Sequence, residues 1–199
     1  MDAPMQIGIT GGIGSGKSLI CRIYQCLGIP VYDADSRAKK LMTTDGILVA
    51  QIKKEFGTLS FHRDGRLNKE HLRKVFSQPD QLKKLNALVH PIVAEDYANW
   101  VNKQSGCKYV VKEAALLIES GAAKKLDRLI VVLSPVRLRI QRVLQRDPER
   151  SEQEVLNIID NQISDMEKEK AADYLIVNDE TRLVIPQVLE LHKRFTSMN

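Results

Sequence analysis

Apolar residues fall along the chain in short runs that alternate with longer stretches of helical spacing. MQIGIT at residues 5–10 reads as a first strand, and KSLICRIYQCLG at 17–28 as a helix closing on Gly28. IPVYDAD at 29–35 gives a short second strand that stops at acids. Residues 34–56 have helical spacing broken near Asp45-Gly46, and the Asp-Gly of FHRDGRLN marks a turn. Residues 69–104 read as mostly helical, interrupted at Pro79 and Pro91. KYVVKEAALL at 108–117 and LDRLIVVLS at 126–134 supply a third and a fourth strand. PVRLRIQRVLQRD at 135–147 is a helix bearing arginines, and 151–170 a further polar helix. DYLIVN at 173–178 is a fifth strand, followed by an amphipathic helix over 183–195. Short β-branched strands alternating with helices predict an α/β fold, a parallel five-stranded sheet with helices on both faces. Ligands of such sheets bind beyond the carboxyl ends of the strands, so the residues just after each strand are the candidates for chemistry.

The first of these places is GITGGIGSGKS, Gly8–Ser18. Gly11, Gly16, Lys17 and Ser18 fit G-x-x-x-x-G-K-[ST], the phosphate-binding loop, with a strand before it and a helix after it. Glycine lets the main chain adopt positive φ and come close to a ligand. Backbone N–H groups then converge on phosphate oxygens, and the helix starting near Lys17 adds its positive end. Lys17 supplies a point charge to the β- and γ-phosphates, and the Ser18 hydroxyl is placed to hold Mg²⁺. The motif predicts a P-loop NTPase-type sheet; it does not name the acceptor of the phosphate.

Composition narrows the class. The 199 residues are 43% apolar and 28% charged, which suits one compact domain with room for a small subdomain or lid. No apolar run approaches the length of a membrane span. The N-terminal MDAPMQIGIT carries an acid and runs straight into a strand, which argues against a signal peptide and for a cytoplasmic protein. The four residues before Met5 form an extension, natural or added. Cys21, Cys26 and Cys107 are odd in number and form no CxxC, so they read as free thiols in a reducing compartment. The four histidines are scattered and make no zinc pattern. The net charge of +5 is spread over lysine pairs such as Lys39-Lys40 and Lys124-Lys125, as on solvated helix faces, and also suits an anionic ligand. Aromatic residues are only 5% and no nucleic-acid signature occurs, so the expected partners are small molecules, with no nucleic acid and no membrane.

Two further clusters carry chemistry. Asp33 and Asp35 follow the second strand; either suits the cap of the next helix, and either could take a proton from an acceptor hydroxyl or orient Mg²⁺. Arg139, Arg142 and Arg146 recur at three- and four-residue spacing. Such a row is a solvated face or a set of cations that neutralises charge during phosphoryl transfer.

Taken in order, IGITGGIGSGKS, VYDAD, DGRLNKEHLRKVF, LKKLNALVHP, LLIESG, QRVLQRD and ADYLIVN resemble the dephospho-CoA kinase family from about Gly8 to Asn178. The resemblance implies transfer of the γ-phosphoryl of ATP to the ribose 3′-hydroxyl of dephospho-CoA, the last step of coenzyme A synthesis. It implies a single kinase domain whose core covers about 5–34 and 105–199, with a helical acceptor-binding region at about 35–104 and a lid at about 135–165. Carried onto this chain, Gly12, Ile13, Gly14, Ser15, Gly16, Lys17 and Ser18 hold the ATP phosphates, with Mg²⁺ at Ser18. Asp33 is the catalytic base, joined in catalysis by Lys17 and Arg142. Asp33, Asp35 and His90 shape the acceptor site, although a histidine before Pro91 could simply fix a helix end. Arg139, Arg142 and Arg146 belong to the lid, Arg146 reaching the nucleotide, and Asn178 lies near the adenine. Glu113 either steers Mg²⁺ through water or pairs with a lysine. The chain departs from the family pattern at Ala115 and Ile118, where Pro and Phe are usual, and at Leu19, where Thr is common. Two other readings share the loop: a kinase for another small acceptor, and a nucleotide switch or nucleic-acid-linked ATPase. The even spread of charge speaks against the switch or ATPase.

Overall fold

Five strands among the described residues pair in parallel into one sheet. They are β1 (Met5–Thr10), β2 (Val31–Asp33), β3 (Tyr109–Glu113), β4 (Arg128–Leu133) and β5 (Tyr174–Val177), in the order β2-β3-β1-β4-β5. The structure is a computed structural model that describes residues 3–76 and 79–198; the N-terminal acid Asp2 and residues 77–78 of the long helical stretch lie outside the described residues. Alternate side chains leave opposite faces of each strand. Ile7, Ile9, Val111, Ile130, Val132 and Ile176 point to one face, where they meet Ile20, Cys21 and Tyr24 of α1 (Lys17–Cys26) and Val188, Leu191 and Phe195 of α9 (Val184–Ser197). Leu129 and Val131 point to the other, against Leu117, Leu126 and Ala172. Burial on both faces is why these strands read as continuous apolar runs. Each fully buried side chain of this size contributes about 1.5–3 kcal/mol, an upper bound for an extended unfolded chain.

The chain divides into two units, one formed by the residues up to Asp33 and from Gln104 onward, the other by Ala34–Lys103. In the sheet unit α1 ends as Gly28 suggested: Gly28 N–H donates to Gln25 and Ile29 N–H to Tyr24, with Gly28 at φ +78°. The third strand stops at Glu113, short of the expected 117. The apolar residues after it turn instead, and Leu117 packs on the second face under Leu129 and Val131. After β4 come α6 (Val136–Arg146), α7 (Glu152–Asp160) and α8 (Asp165–Ala171). The single helix expected over 151–170 is thus two. Ser164 and Glu167 form a capping box, a second helix start within the polar stretch.

The helical unit contains α2 (Ala34–Thr44), α3 (Gly46–Phe56), α4 (Lys69–Phe76) and α5 (Pro79–Asn102). The break at Asp45-Gly46 is present, with Asp45 Oδ1 accepting from Leu48 N at 2.8 Å. Leu85, Val89, Val93, Tyr97 and Val101 recur every four residues as the buried stripe of α5. Pro91 does not interrupt α5. Pro91 and Ala87, whose carbonyl loses its donor, both lie on the exposed side, where water can replace the missing bond. Ion pairs Arg37–Asp96 and Lys84–Glu55 join α5 to α2 and α3.

Candidate active site

β1 and β3 are neighbours whose outgoing connections pass over opposite faces of the sheet: α1 lies on one, the Leu117 segment on the other. Such a divergence opens a crevice at the carboxyl ends of the strands. The glycine loop fills it. Gly14 and Gly16 sit at φ +74° and +98°, and Gly16 is the N-cap of α1. Ser15 N–H closes the turn on Gly12 C=O at 3.1 Å. Lys17 Nζ donates to Gly11 C=O at 2.9 Å and to Gly12 C=O at 3.2 Å, so its ammonium lies inside the loop.

The carboxylates come from the adjoining strand ends. Asp33 and Glu113 are register partners on β2 and β3, and Ile9 flanks Glu113 on β1. Residues paired in this way project to the same face, here that of α1. Ser18 Oγ, in the first turn of α1, donates to Glu113 Oε1 at 3.1 Å. Cys21, one turn on, also hydrogen-bonds Glu113. Glu113 is 8% exposed, and burial raises its affinity for a proton above that of an ordinary carboxylate, with neighbouring Asp33 adding to the effect. The same burial drives the Cys21 thiol far above its usual range and leaves it a packed, unreactive group. Ser18 thus holds Glu113 beside the loop, and the Lys17 ammonium partly offsets the effect of burial on its carboxyl.

A second group braces the loop from the side of α6. Arg139 is buried, and its guanidinium occupies the space where a Cβ on Gly12 would project. Its Nη2 donates to Asp165 Oδ2 at 3.2 Å, and its Nε is buried with no hydrogen-bond partner. Gln162 Oε1 accepts from Ile13 N at 3.0 Å. Asn178 follows β5, and its Nδ2 donates to Ser15 C=O at 2.8 Å. Arg142 donates to Ser134 Oγ at 3.0 Å, to Asn178 C=O at 3.2 Å and to Glu180 Oε1 at 3.1 Å.

The sheet unit therefore brings together Lys17, Ser18, Asp33 and Glu113, and gathers Arg139, Arg142 and Asn178 around the loop and the ends of β4 and β5. Arg146 pairs with Asp147 on the surface. Asp35, in the first turn of α2, and His90, on α5, are exposed residues of the helical unit. Gln162 and Asp165 carry no motif and were not anticipated; nothing local marks Gln162, 149 residues from its partner Ile13.

The family model described as dephospho-CoA kinase matches residues 5–183. This chain belongs to the dephospho-CoA kinase family. It is 37% identical to the dephospho-CoA kinase of Bacteroides fragilis over 188 residues, 94% of this chain and 91% of that one. Its fold is similar to that of a Thermus thermophilus crystal structure, with 31% identity and a TM-score of 0.84 over 100% of both chains. It is also similar to the dephospho-CoA kinase of Campylobacter jejuni, with 25% identity and a TM-score of 0.69 over 96% of this chain and 97% of that one. Dephospho-CoA kinases phosphorylate dephospho-CoA in the last step of coenzyme A biosynthesis, and ATP is the phosphoryl donor. Among the described residues, no helix is long and apolar enough to cross a membrane.

Proposed function

We propose that the loop Gly12–Ser18 holds the triphosphate of ATP and that Asp33 accepts the proton of the ribose 3′-hydroxyl of dephospho-CoA. The observation that carries this reading is the set of Lys17, Ser18, Glu113 and Asp33 at the carboxyl ends of β1, β2 and β3. Transfer through a loose transition state needs alignment and charge neutralisation more than covalent help. Lys17, held at the loop by the Gly11 and Gly12 carbonyls, turns its remaining N–H toward phosphate oxygens, which the glycine-loop N–H groups also cradle. The Ser18 hydroxyl and the Glu113 carboxylate are hard oxygen donors within hydrogen-bond reach of each other, a fit for Mg²⁺, which keeps waters and takes few protein ligands. Bound there, Mg²⁺ would neutralise charge on the β- and γ-phosphates.

Asp33, exposed at the strand end, holds the proton lost by the attacking hydroxyl. Arg142 neutralises charge on the moving group after leaving Glu180, whose 63% exposed side chain makes that pair weak. Arg146 and Asn178 bind the nucleotide, and Asp35 and His90 contact the acceptor. Residues 135–165 act as a lid that excludes water, and 35–104 as the acceptor-binding region. The activity sets the enzyme among cytoplasmic reactions.

The test is ADP release from Mg·ATP with and without dephospho-CoA. Acceptor-dependent turnover with coenzyme A as product supports the proposal. Slow release indifferent to the acceptor refutes it.

A further inference from the structure

One peptide group links the α7–α8 connector to the loop lysine. A trans peptide holds its N–H and C=O antiparallel in one plane. In the Gly12–Ile13 peptide, the N–H donates to Gln162 Oε1 at 3.0 Å and the C=O accepts from Lys17 Nζ at 3.2 Å and from Ser15 N at 3.1 Å. Rotating this plane breaks all three bonds at once. Gly12 has no side chain to resist such a rotation, so the restraint comes from the groups at either end.

The Gln162 end is itself fixed. Gln162 lies between the end of α7 and the Ser164 cap of α8, and its own N–H donates to Ile159 C=O at 3.1 Å. Three residues on, Asp165 takes the Arg139 guanidinium that fills the space beside Gly12. The Lys168 side chain is buried and donates to Ile163 C=O, with Asp165 at 3.7 Å. The connector thus presents the Gln162 carboxamide to the loop from a braced backbone.

We propose that Gln162 is a positioning residue for Lys17, acting through the Gly12–Ile13 peptide plane. By gripping Ile13 N–H it keeps Gly12 C=O turned toward the ammonium, so Lys17 is pre-aligned inside the loop before nucleotide arrives. The proposal rests on the reading that ATP phosphates occupy this loop.

The test is a double-mutant cycle in ATP affinity, made with Gln162→Met, which keeps the shape and removes the acceptor, and Lys17→Ala. Gln162→Met alone is expected to weaken ATP binding about threefold to tenfold, the effect of losing one positioning hydrogen bond, and to leave KM for dephospho-CoA unchanged. On the Lys17→Ala background it is expected to have less than a twofold effect. Equal effects on both backgrounds, or no effect on the first, overturn the proposal. If Lys17→Ala alone leaves ATP affinity intact, the reading of the loop fails instead. Amide exchange in the nucleotide-free protein gives a readout independent of ligand: Ile13 N–H loses protection in Gln162→Met, and unchanged protection overturns the proposal as well.

Discussion

Two glycines with nearly the same positive φ allow steric crowding to be separated from conformational strain. Gly14 and Gly28 sit at φ +74° and +78°. A Cβ on Gly28 meets no atom within 4 Å, whereas one on Gly14 comes within 2.5 Å of the Arg139 carbonyl oxygen and 2.9 Å of its Cα. Those atoms are helix backbone and cannot swing aside. An L side chain in the left-handed region costs about 1–2 kcal/mol, which is the whole penalty for Gly28→Ala. Forcing a methyl into packed backbone adds about 1–3 kcal/mol, so Gly14→Ala should lose about 2–5 kcal/mol. The gain from restricting the unfolded chain is common to both variants and cancels in the difference. At about 2–4 °C per kcal/mol for a chain of this size, Gly28→Ala should melt about 2–8 °C below the parent and Gly14→Ala about 4–20 °C below it. Thermal melts of the ligand-free proteins, paired with ATP titrations, measure this. Melting points within about 2 °C of each other, with ATP binding intact in both, would refute the reasoning that α6 backbone closes the space at Gly14.

Asp33→Asn is expected to fold and to bind ATP while kcat falls by about 10²-fold or more; turnover within a few-fold of the parent would make Asp33 a structural strand end. Glu113 binds its proton more tightly folded than unfolded, so it favours the folded state at acid pH and that contribution is lost as pH rises through its raised pKa. Glu113→Gln should therefore gain stability relative to the parent as pH rises above the ordinary carboxylate range in urea titrations, while losing Mg²⁺-dependent activity; parallel stability curves would contradict the burial argument. Arg142→Met is expected to lower kcat about 10²-fold with KM for ATP little changed. A change in KM alone would assign Arg142 to holding the nucleotide.

The glycine loop and the five strands were legible because their signals are local. Gly11, Gly16, Lys17 and Ser18 stand within eight residues, and the apolar strands are short and separated by polar helices. Local signals also misled where tertiary context competed. Ala114–Leu117 continues the apolar run of β3 but turns away, with Ala114 and Leu117 serving the second face of the sheet, and Pro91 is tolerated because its side of α5 faces water. The Ser164-to-Glu167 box was present in the sequence, and its weight as a helix start outranks the continuous polar spacing around it. The Ile13–Gln162 and Arg139–Asp165 links span 149 and 26 residues. Only the crossover from β4 through α6, α7 and α8 brings them to the loop, and no spacing rule reports that.

The volume beside Gly12 is occupied by a guanidinium that arrives from position 139. Two distant positions therefore draw on one reserve of space, and a methyl at 12 requires the guanidinium to move aside or to be absent. A lineage that replaced Arg139 by a shorter residue would lift the ban on a methyl at position 12. A lineage that first acquired alanine at 12 would be under pressure to shorten 139. The order of such changes, read across related chains, would record which of the two positions opened the way for the other.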